Sequence, residues 1–420
     1  MHHGAQSSSE PSFDSTSSST ELDPIATLQV PSAVASIAFL SSSTIIDDDE
    51  NSTSSSDDED YRSMSRCAEI QQQQRGLQTS YLALKDQKLA SLHKDGSCRV
   101  WDLNKRMVEA TIDTHRPRTE ERGLAIRRMS TKVHTDLLMI QTQQGEGTIS
   151  IHAYDRPDFP VVAKYSTFSQ TFCQATPCSG REETPCPLLA VPCRQETSAM
   201  IWDIRDPKPV TEIPISDEGM VTSLGLTVVP GTNRPVMGCG MESGSLILHD
   251  FTSGATSSTK AKINVSKDPI LAMDMISSVD NKEQESIIAL AGLAGDRSEE
   301  QELDPSDRGR IAVVKGERVT SCWDLTLESR LSTCRVHERS MGKPGVSVCR
   351  FRPDGKVWAV GGWDYRVRLY DSLSLSPLAI LRGHKTSVSA LDFAADSKSG
   401  LLATSGTDNL IQVWKCFARN

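Results

Sequence analysis

A repeating unit of short β-rich runs most restricts what this 420-residue chain can fold into. Its clearest copies are residues 89–103 (LASLHKDGSCRVWDL), 188–204 (LLAVPCRQETSAMIWDI), 357–371 (VWAVGGWDYRVRLYD) and 401–416 (LLATSGTDNLIQVWKC). One residue at the end of the third run of each unit marks the register: Trp101, His152, Trp202, His249, Trp323, Tyr370 and Trp414. Successive markers are 51, 50, 47, 74, 47 and 44 residues apart. Such a period indicates repeated units that pack against their neighbours.

The spacing predicts an all-β fold, a seven-bladed WD40 β-propeller, because WD40 units take ~40–45 residues plus loop insertions. Seven four-stranded blades need to close into a ring, since an open ring leaves strand edges exposed. Residues 25–30 (IATLQV) have the pattern of a fourth strand, like residues 378–382 (LAILR) before Gly383-His384. We expect this N-terminal strand to complete the last blade and close the ring.

Three segments depart from the repeat. Residues 1–24 are rich in Ser and Thr and poor in aliphatics, which predicts a disordered tail before a propeller at residues 25–420. Residues 41–78 form an acidic, Gln-rich insertion, interpreted as a solvated loop, with phosphorylation of its serines as the alternative. Residues 295–310 form an acidic loop, after which the third strand of the fifth blade is either residues 310–314 or the run ending at Trp323. We favour Trp323, because Asp324 follows it.

Charge and cysteine usage exclude several classes of protein. The net charge is −10, but residues 47–60 hold eight acidic residues, which leaves −2 elsewhere and no basic surface for nucleic acid. No apolar run approaches the ~18 residues of a membrane span, and no signal peptide is evident, so we expect a soluble intracellular protein. Eleven cysteines without a secretory signal indicate reduced thiols. The cluster Cys173, Cys178, Cys186 and Cys193 lacks the paired spacing of zinc ligands, so we expect neither metal nor cofactor.

The last unit carries the most complete set of polar residues, namely His384, Thr404, Asp408 and Trp414. We expect Asp408 to accept a hydrogen bond from His384, which reaches Thr404 and then the indole N–H of Trp414. A hydrolase triad is the alternative, but the chain has no G-x-S-x-G elbow, and degraded copies of the set occur in other units. We therefore interpret the set as structural and expect no enzymatic activity.

Two other units keep parts of the same set. The first unit has Ser91, Asp95 and Trp101 but no obvious histidine. The sixth keeps Asp364 and has Val360 where the hydroxyl belongs. We expect the weaker units to depend on apolar packing between blades.

Two surface motifs are candidates for partner binding. Trp363, Tyr365 and Arg366 lie in a predicted loop near the central channel, and aromatic and arginine side chains are frequent contact anchors. The alternative is that Trp363 packs against a neighbouring blade. Trp202-Asp203-Ile204-Arg205 is a Trp-Asp-x-Arg box, by which some propellers dock on the adaptor of cullin–RING ubiquitin ligases. Arg205 would supply a charge-assisted contact there, although a single short motif of this kind also occurs without that role.

Residues 343–384 resemble the ASTRA-associated protein 1 family, which includes G-protein beta-subunit-like protein 1 of animals. The matching elements include Pro344-Gly345, Arg352-Pro353-Asp354-Gly355-Lys356, Gly362-Trp363-Asp364 and Arg366-Val367-Arg368. The resemblance implies a non-enzymatic scaffold, monomeric within a complex with ASTRA and co-chaperone components and large kinase-like proteins. It also implies links to chromatin regulation and to maturation of phosphatidylinositol-3-kinase-like kinases, in the nucleus, with the cytoplasm as a second location. A cullin–RING substrate receptor that uses Arg205 is the alternative.

Overall fold

The computed structural model describes most of the repeat region. It covers residues 22–40, 84–112, 122–129, 136–143, 147–156, 158–179, 186–206, 208–214, 218–229, 234–251, 257–264, 269–277, 286–291, 310–319, 322–324, 334–335, 346–371, 377–396 and 399–416. The predicted acidic insertion and most of the predicted N-terminal tail and acidic loop lie outside these residues. The described strands form seven sheets, which we call blades 1 to 7.

Blades 1 to 4 each have four antiparallel strands in chain order. Blade 1 consists of β2 (Val34–Leu40), β3 (Lys88–His93), β4 (Cys98–Asp102) and β5 (Met107–Ile112). Blade 2 consists of β6 (Arg122–Met129), β7 (Leu137–Gln143), β8 (Thr148–Ala153) and β9 (Val161–Ser166). Blade 3 consists of β10 (Thr176–Pro177), β11 (Leu188–Pro192), β12 (Ser198–Asp203) and β13 (Pro209–Pro214). Blade 4 consists of β14 (Val221–Val229), β15 (Arg234–Met241), β16 (Ser245–Phe251) and β17 (Ser257–Asn264).

Blades 5 to 7 follow the same plan, with one irregular member. Blade 5 consists of β18 (Ala272–Ser277), β19 (Ser286–Ala291), β20 (Arg310–Val319), β21 (Cys322–Asp324) and β22 (Cys334–Arg335). Blade 6 consists of β23 (Val346–Phe351), β24 (Val357–Gly362), β25 (Arg366–Asp371) and β26 (Pro377–Arg382). Blade 7 consists of β27 (Val388–Phe393), β28 (Leu401–Gly406), β29 (Leu410–Lys415) and the N-terminal β1 (Ala26–Gln29).

The core lies between neighbouring blades, and this explains the apolar composition of the inner strands. The second strands β24 and β28 are buried along their whole length, because both faces of a blade pack on other blades. The outermost strand β13 exposes most of its residues. The first strands of successive blades pack against one another around a central channel, which closes the ring.

The marker residues have the predicted register in six of the seven blades. Trp414 pairs with Leu402, Trp101 with Leu89, and the four others take the equivalent position: His152, Trp202, His249 and Tyr370. The preference for Trp323 in blade 5 was wrong. The third strand there is β20, and Val314 takes the marker position opposite Ile288. Trp323 lies in β21, which folds back on β20 as a short hairpin.

Strand β1 closes the ring, as predicted. It pairs antiparallel with β29, with Ala26 opposite Val413 and Leu28 opposite Ile411. Its residues alternate between buried and exposed, and Leu28 is 2% exposed in the core shared by blades 7 and 1. The first and last strands of the repeat region therefore hold each other in one sheet.

Candidate functional site

The polar residues of blade 7 form one continuous chain of hydrogen bonds. The Trp414 Nε1–H donates to Thr404 Oγ1 over 2.9 Å, and Thr404 Oγ1 lies 2.9 Å from His384 Nε2. His384 Nδ1 lies 3.2 Å from the Asp408 carboxylate, which also accepts the Lys385 backbone N–H over 2.8 Å. Because the ionised Asp408 carboxylate can only accept, the ring proton of neutral His384 lies on Nδ1 and faces Asp408, and His384 Nε2 then accepts the proton of the Thr404 hydroxyl.

This arrangement leaves no free base for chemistry. Burial lowers the pKa of His384, and the charge of Asp408 offsets only part of that effect. Both ring nitrogens already have partners inside the blade. A side chain at Gly406 would not fit, since its Cβ would lie 2.9 Å from His384 Nδ1 and 2.7 Å from Asp408 Oδ1.

Blade 1 has an equivalent network whose histidine the sequence analysis missed. The Trp101 Nε1–H donates to Ser91 Oγ over 2.8 Å, and Ser91 Oγ lies 3.0 Å from His93 Nε2. His93 Nδ1 lies 3.1 Å from the Ser32 carbonyl oxygen, while the Ser32 hydroxyl donates to Asp95 over 3.1 Å. Asp95 is thus connected to the histidine through a serine.

The two histidines reach the same place from different strands. His93 pairs with Val34 at the register position where Gly406 pairs with Val388 in blade 7. In blade 7 the imidazole comes from the loop before the first strand, and glycine leaves room for it. In blade 1 the histidine itself, His93, occupies the strand position that glycine takes in blade 7. The spacing of residues along the sequence therefore did not reveal it.

Asp364 of blade 6 takes part in a different interaction. Arg368 binds it in a bidentate manner, with Nη1 3.0 Å from Oδ1 and Nη2 2.5 Å from Oδ2. Both side chains are largely buried. The pair stabilises the turn that carries Trp363 and Tyr365, in place of a histidine network.

Two buried carboxylates on the innermost strands link neighbouring blades. From blade 1 to blade 7, equivalent register positions carry Ala38, Arg127, Thr176, Gly225, Asp274, Arg350 and Asp392. Asp274 accepts the Phe351 N–H of the next blade over 2.7 Å, and Asp392 accepts the Phe39 N–H over 2.9 Å. Burial raises the pKa of Asp274 to about 7, although the charge of Arg127 opposes this. These carboxylates act as links between blades.

Trp363 and Tyr365 are half-buried in the turn between β24 and β25, and Arg366, also half-buried, is the first residue of β25. This turn lies on the face that also carries the loops between blades, which we call the upper face. Tyr365 has a left-handed φ of 70°, which is uncommon for a residue with a Cβ. The hydroxyl of Ser387, in the loop entering blade 7, lies 3.5 Å from the Trp363 carbonyl oxygen.

A second aromatic group on the upper face was not predicted. Phe172 is 82% exposed and Phe168 is 48% exposed, in the loop from β9 to β10. Phe168 has a left-handed φ of 53°. The composition of this loop suggests an ordinary polar turn, and nothing in the sequence distinguishes these phenylalanines from core residues.

Hydrogen bonds hold this aromatic loop in one shape. The backbone N–H of Thr167 donates to the Gly147 carbonyl over 2.8 Å, and the Gln143 amide donates to the Gln170 and Thr171 carbonyls over 2.8 and 2.9 Å. Gln141 accepts the N–H of Ala175 over 2.7 Å. Exposed aromatics on a pre-ordered loop lose little conformational entropy when a partner binds.

Arg205 lies on the opposite, lower face, in the turn after β12. Its Nε and Nη2 donate to the Asp203 carboxylate over 2.9 and 2.5 Å. The Arg205 side chain is still 67% exposed. The Trp-Asp-x-Arg box is therefore an ordered turn with an accessible guanidinium group.

Neither a metal site nor a membrane-spanning helix occurs among the described residues. No group of three or more His, Cys, Asp or Glu side chains is placed to hold a metal ion within that part of the chain. Among the same residues, no helix has the length and apolarity that crossing a membrane requires.

Comparison with known families agrees with the geometry of blades 6 and 7. The family model for the WD domain, G-beta repeat, matches residues 329–371 and 375–415. The chain carries WD40 repeats. WD40 propellers are typically non-enzymatic scaffolds.

Individual relatives of this WD40 chain match it over part of its length. Guanine nucleotide-binding protein subunit beta-like protein 1 of Mus musculus is 28% identical over 235 residues, 55% of this chain and 61% of the relative. ASTRA-associated protein 1 of Schizosaccharomyces pombe is 37% identical over 73 residues, 17% of this chain and 19% of the relative. The chain thus spans less than two thirds of each of these relatives.

A solved structure supports the fold of the WD40 chain. The crystal structure of Chaetomium thermophilum Raptor superposes with a TM-score of 0.59 at 13% identity. The match covers 94% of this chain and 30% of Raptor. At this identity the likeness concerns the propeller fold alone.

Blades 3 and 4 of the WD40 ring lack the hydroxyl that completes the network in blades 1 and 7. Val191 takes that register position in blade 3, and Trp202 Nε1 is buried with no hydrogen-bond partner in the described part of the chain. In blade 4, both ring nitrogens of His249 are buried and lack a partner among the described residues. Burial lowers the pKa of His249 from its ordinary 6.5 to about 4.

We therefore expect His249→Phe to reduce the acid sensitivity of the protein. Because the pKa of His249 is lower in the folded protein, the unfolded chain takes up the proton at a higher pH than the folded protein does. The stability that neutral His249 contributes is therefore complete above about pH 7 and is lost as the pH falls toward 4. Between pH 7 and pH 5, the wild type should lose about 2 kcal/mol more unfolding free energy than the variant. Urea unfolding at both pH values measures the difference, and equal losses would refute it.

Proposed function

We propose that this chain is a non-enzymatic scaffold subunit of an ASTRA-type complex. In that role it would join co-chaperone components to large kinase-like proteins and act in chromatin regulation and kinase maturation, with the nucleus as its main location. The name of the fission-yeast relative, ASTRA-associated protein 1, supports the assignment to this complex. The structural observation that carries the scaffold role is the aromatic loop, which displays Phe168 and Phe172 in a fixed shape.

The upper face suits protein binding for a physical reason. Histidine and threonine are residue types that act as catalysts in enzymes, but here His384 and Thr404 are buried inside a blade and hydrogen-bonded to each other. The exposed aromatic side chains of the loop from β9 to β10 are instead available to a partner. Large aromatic and arginine side chains contribute most of the free energy at protein interfaces. The turn with Trp363 and Arg366 adds a second group of such residues on the same face.

A variant without the two exposed phenylalanines tests this surface. In Phe168→Asn/Phe172→Ser, asparagine tolerates the left-handed backbone and serine keeps the loop polar, so the fold is retained. Affinity purification of the full-length protein should recover at least tenfold less of the kinase-like and ASTRA subunits, since each aromatic contributes about 1 kcal/mol or more. Trp363→Ala/Arg366→Glu should act in the same direction.

The matched control is Val161→Ser/Val210→Ser, which also removes exposed apolar side chains but from outer strands. It should leave recovery unchanged. Equal recovery with all variants would contradict binding through the upper face. Recovery of a cullin and its adaptor, lost on Arg205→Ala, would overturn the scaffold assignment and favour a ubiquitin-ligase substrate receptor.

A further inference from the structure

Hydrogen bonds connect the upper-face loops of blades 6, 7 and 1. The turn between β24 and β25 meets the loop entering blade 7, where the Ser387 hydroxyl lies 3.5 Å from the Trp363 carbonyl oxygen. The Ser387 carbonyl accepts the N–H of Thr407, in the turn between β28 and β29, over 3.2 Å. The same turn reaches the loop entering blade 1, because the Asn409 carbonyl accepts the Val30 N–H over 3.0 Å. The contacts are thus continuous from blade 6 to the start of blade 1.

The turn between β3 and β4 completes this connected surface. The Lys94 N–H donates to the Ala33 carbonyl of the loop entering blade 1 over 2.9 Å. The Ser32 hydroxyl of that loop donates to Asp95 of the turn over 3.1 Å. Five loops from three neighbouring blades therefore hold one another in place. A partner that spans them meets a surface that is already ordered before binding, which lowers the entropy cost of the complex.

The carboxylates of these loops already accept hydrogen bonds from their own blades. Asp364 binds Arg368 in a bidentate manner. Asp408 accepts the Lys385 backbone N–H over 2.8 Å. Asp95 accepts a backbone N–H over 2.9 Å and a hydroxyl over 2.7 Å within its own turn. Each carboxylate therefore stabilises a turn, and the cations on the same loops depend on other partners for neutralisation.

Four cationic side chains lie on these loops and at the adjoining strand ends: Lys94, Arg366, Arg382 and Lys385, which we call the basic arc. Arg366 is half-buried and the other three are exposed. Neither lysine has an ion-pair partner in the described part of the chain. Arg366 lies directly opposite Arg382 in the pairing of β25 with β26. Because like charges at opposed positions destabilise a sheet, this pair favours a bound anion that neutralises it.

We propose that the basic arc binds an acidic segment of a partner protein, rich in Asp and Glu. The proposal rests on the scaffold role, because it names the chemistry of one partner that contacts the upper face. Carboxylates of the segment accept charge-assisted hydrogen bonds from the two arginines and two lysines of the arc. Trp363 and Tyr365, in the turn beside Arg366, contact apolar side chains of the same segment.

A protein segment fits the basic arc better than a nucleic acid does. The chain has a net charge of −10, and a surface that tracks a phosphate backbone needs many cations along its length. The arc instead has few cations, and they lie next to aromatic side chains. Such a combination of arginine and aromatic residues is typical of protein interfaces.

Binding of a synthetic acidic peptide to the full-length protein tests the proposal. The probe is a fluorescein-labelled peptide in which Asp and Glu alternate with Leu, and the comparison peptide has Asn and Gln in place of the acids. Fluorescence anisotropy should show binding of the acidic peptide alone, and this binding should weaken as NaCl is added. In Lys94→Glu/Lys385→Glu the affinity should fall by about tenfold or more, because two attractive contacts become repulsive.

The matched control is Lys164→Glu/Lys208→Glu, which changes the net charge by the same amount. Both of these lysines are exposed, one on the outer strand of blade 2 and one in a turn of the lower face. The control should bind the acidic peptide as the wild type does. Equal weakening by the two double variants would show that only net charge matters, and it would overturn the proposal.

Carbodiimide cross-linking provides a measurement on the wild-type protein, independent of how any variant folds. The reagent joins a carboxylate to a lysine amine that it contacts, and mass spectrometry identifies the joined residues. We expect the acidic peptide on Lys94 and Lys385, and little of it on Lys164 or Lys208. Absence of peptide binding, or even coupling to all four lysines, would contradict recognition by the arc.

A single-stranded oligonucleotide serves as the competing ligand. If it binds more tightly than the acidic peptide and Lys94→Glu/Lys385→Glu abolishes that binding, the arc is a nucleic-acid site and the proposal is wrong. Failure of these tests is distinguishable from failure of the scaffold role. The scaffold role is judged by recovery of partner subunits with the variants of Phe168 and Phe172, which lie on the loop between blades 2 and 3.

Discussion

A chain that begins at Pro31 is expected to unfold at a temperature about 10 °C below that of the full chain. The truncation removes β1, whose buried residues Ala26 and Leu28 complete the core between blades 7 and 1. It also leaves β29 as an unpaired edge beside Ile411 and Val413, which are buried in the intact ring. Loss of these side chains costs about 5 kcal/mol, by analogy with large-to-small substitutions in protein cores. Circular dichroism melting measures the change, and size-exclusion chromatography detects association through the free edge.

The control for this truncation is a chain that begins at Leu22. It lacks residues that the sequence predicts to be disordered, keeps β1 whole, and should melt within about 2 °C of the full chain. A single substitution, Leu28→Asp, should reproduce most of the loss by placing an unpaired charge in the core. If the chain from Pro31 melts with the full chain, β1 does not close the ring.

The second large effect is expected for Thr404→Val, which removes one hydroxyl and keeps the side-chain volume. Without it, Trp414 Nε1 and His384 Nε2 both lose their hydrogen-bond partner inside blade 7. Each buried nitrogen left unpaired costs about 1–3 kcal/mol, so the free energy of unfolding should fall by about 3 kcal/mol. Chemical denaturation at pH 7 measures it.

Thr407→Val makes the same chemical change in the same blade at an exposed turn position. It should alter stability by less than about 0.5 kcal/mol. A loss this small for Thr404→Val would mean that the network contributes little to the blade. Because blade 1 has its own network, Ser91→Ala should destabilise independently, and its effect should add to that of Thr404→Val.

The position of a marker residue was predictable where a strong strand pattern surrounds it, and it was not predictable in blade 5, where strand pairing decides it. The markers Trp101 and Trp414 end apolar runs with strong β patterning, and the same register followed in both blades. In blade 5 the pair Trp323-Asp324 imitated the marker motif, but it lies in a short hairpin beyond the third strand. The Trp-Asp dipeptide did not indicate the marker position in blade 5, because the pairing of β20 with β19 decides which residue occupies that position.

By itself, the sequence determined the number of blades, the strand that closes them and the polar set of blade 7, because each depends on patterns that recur along the chain. The tertiary structure alone decided where His93 points and which faces Phe172 and Arg205 occupy. These features depend on contacts between strands and loops that are distant in the chain or differ in each blade. The repeated strands make the ring of blades predictable, whereas the exposed side chains lie in loops that differ from one blade to the next.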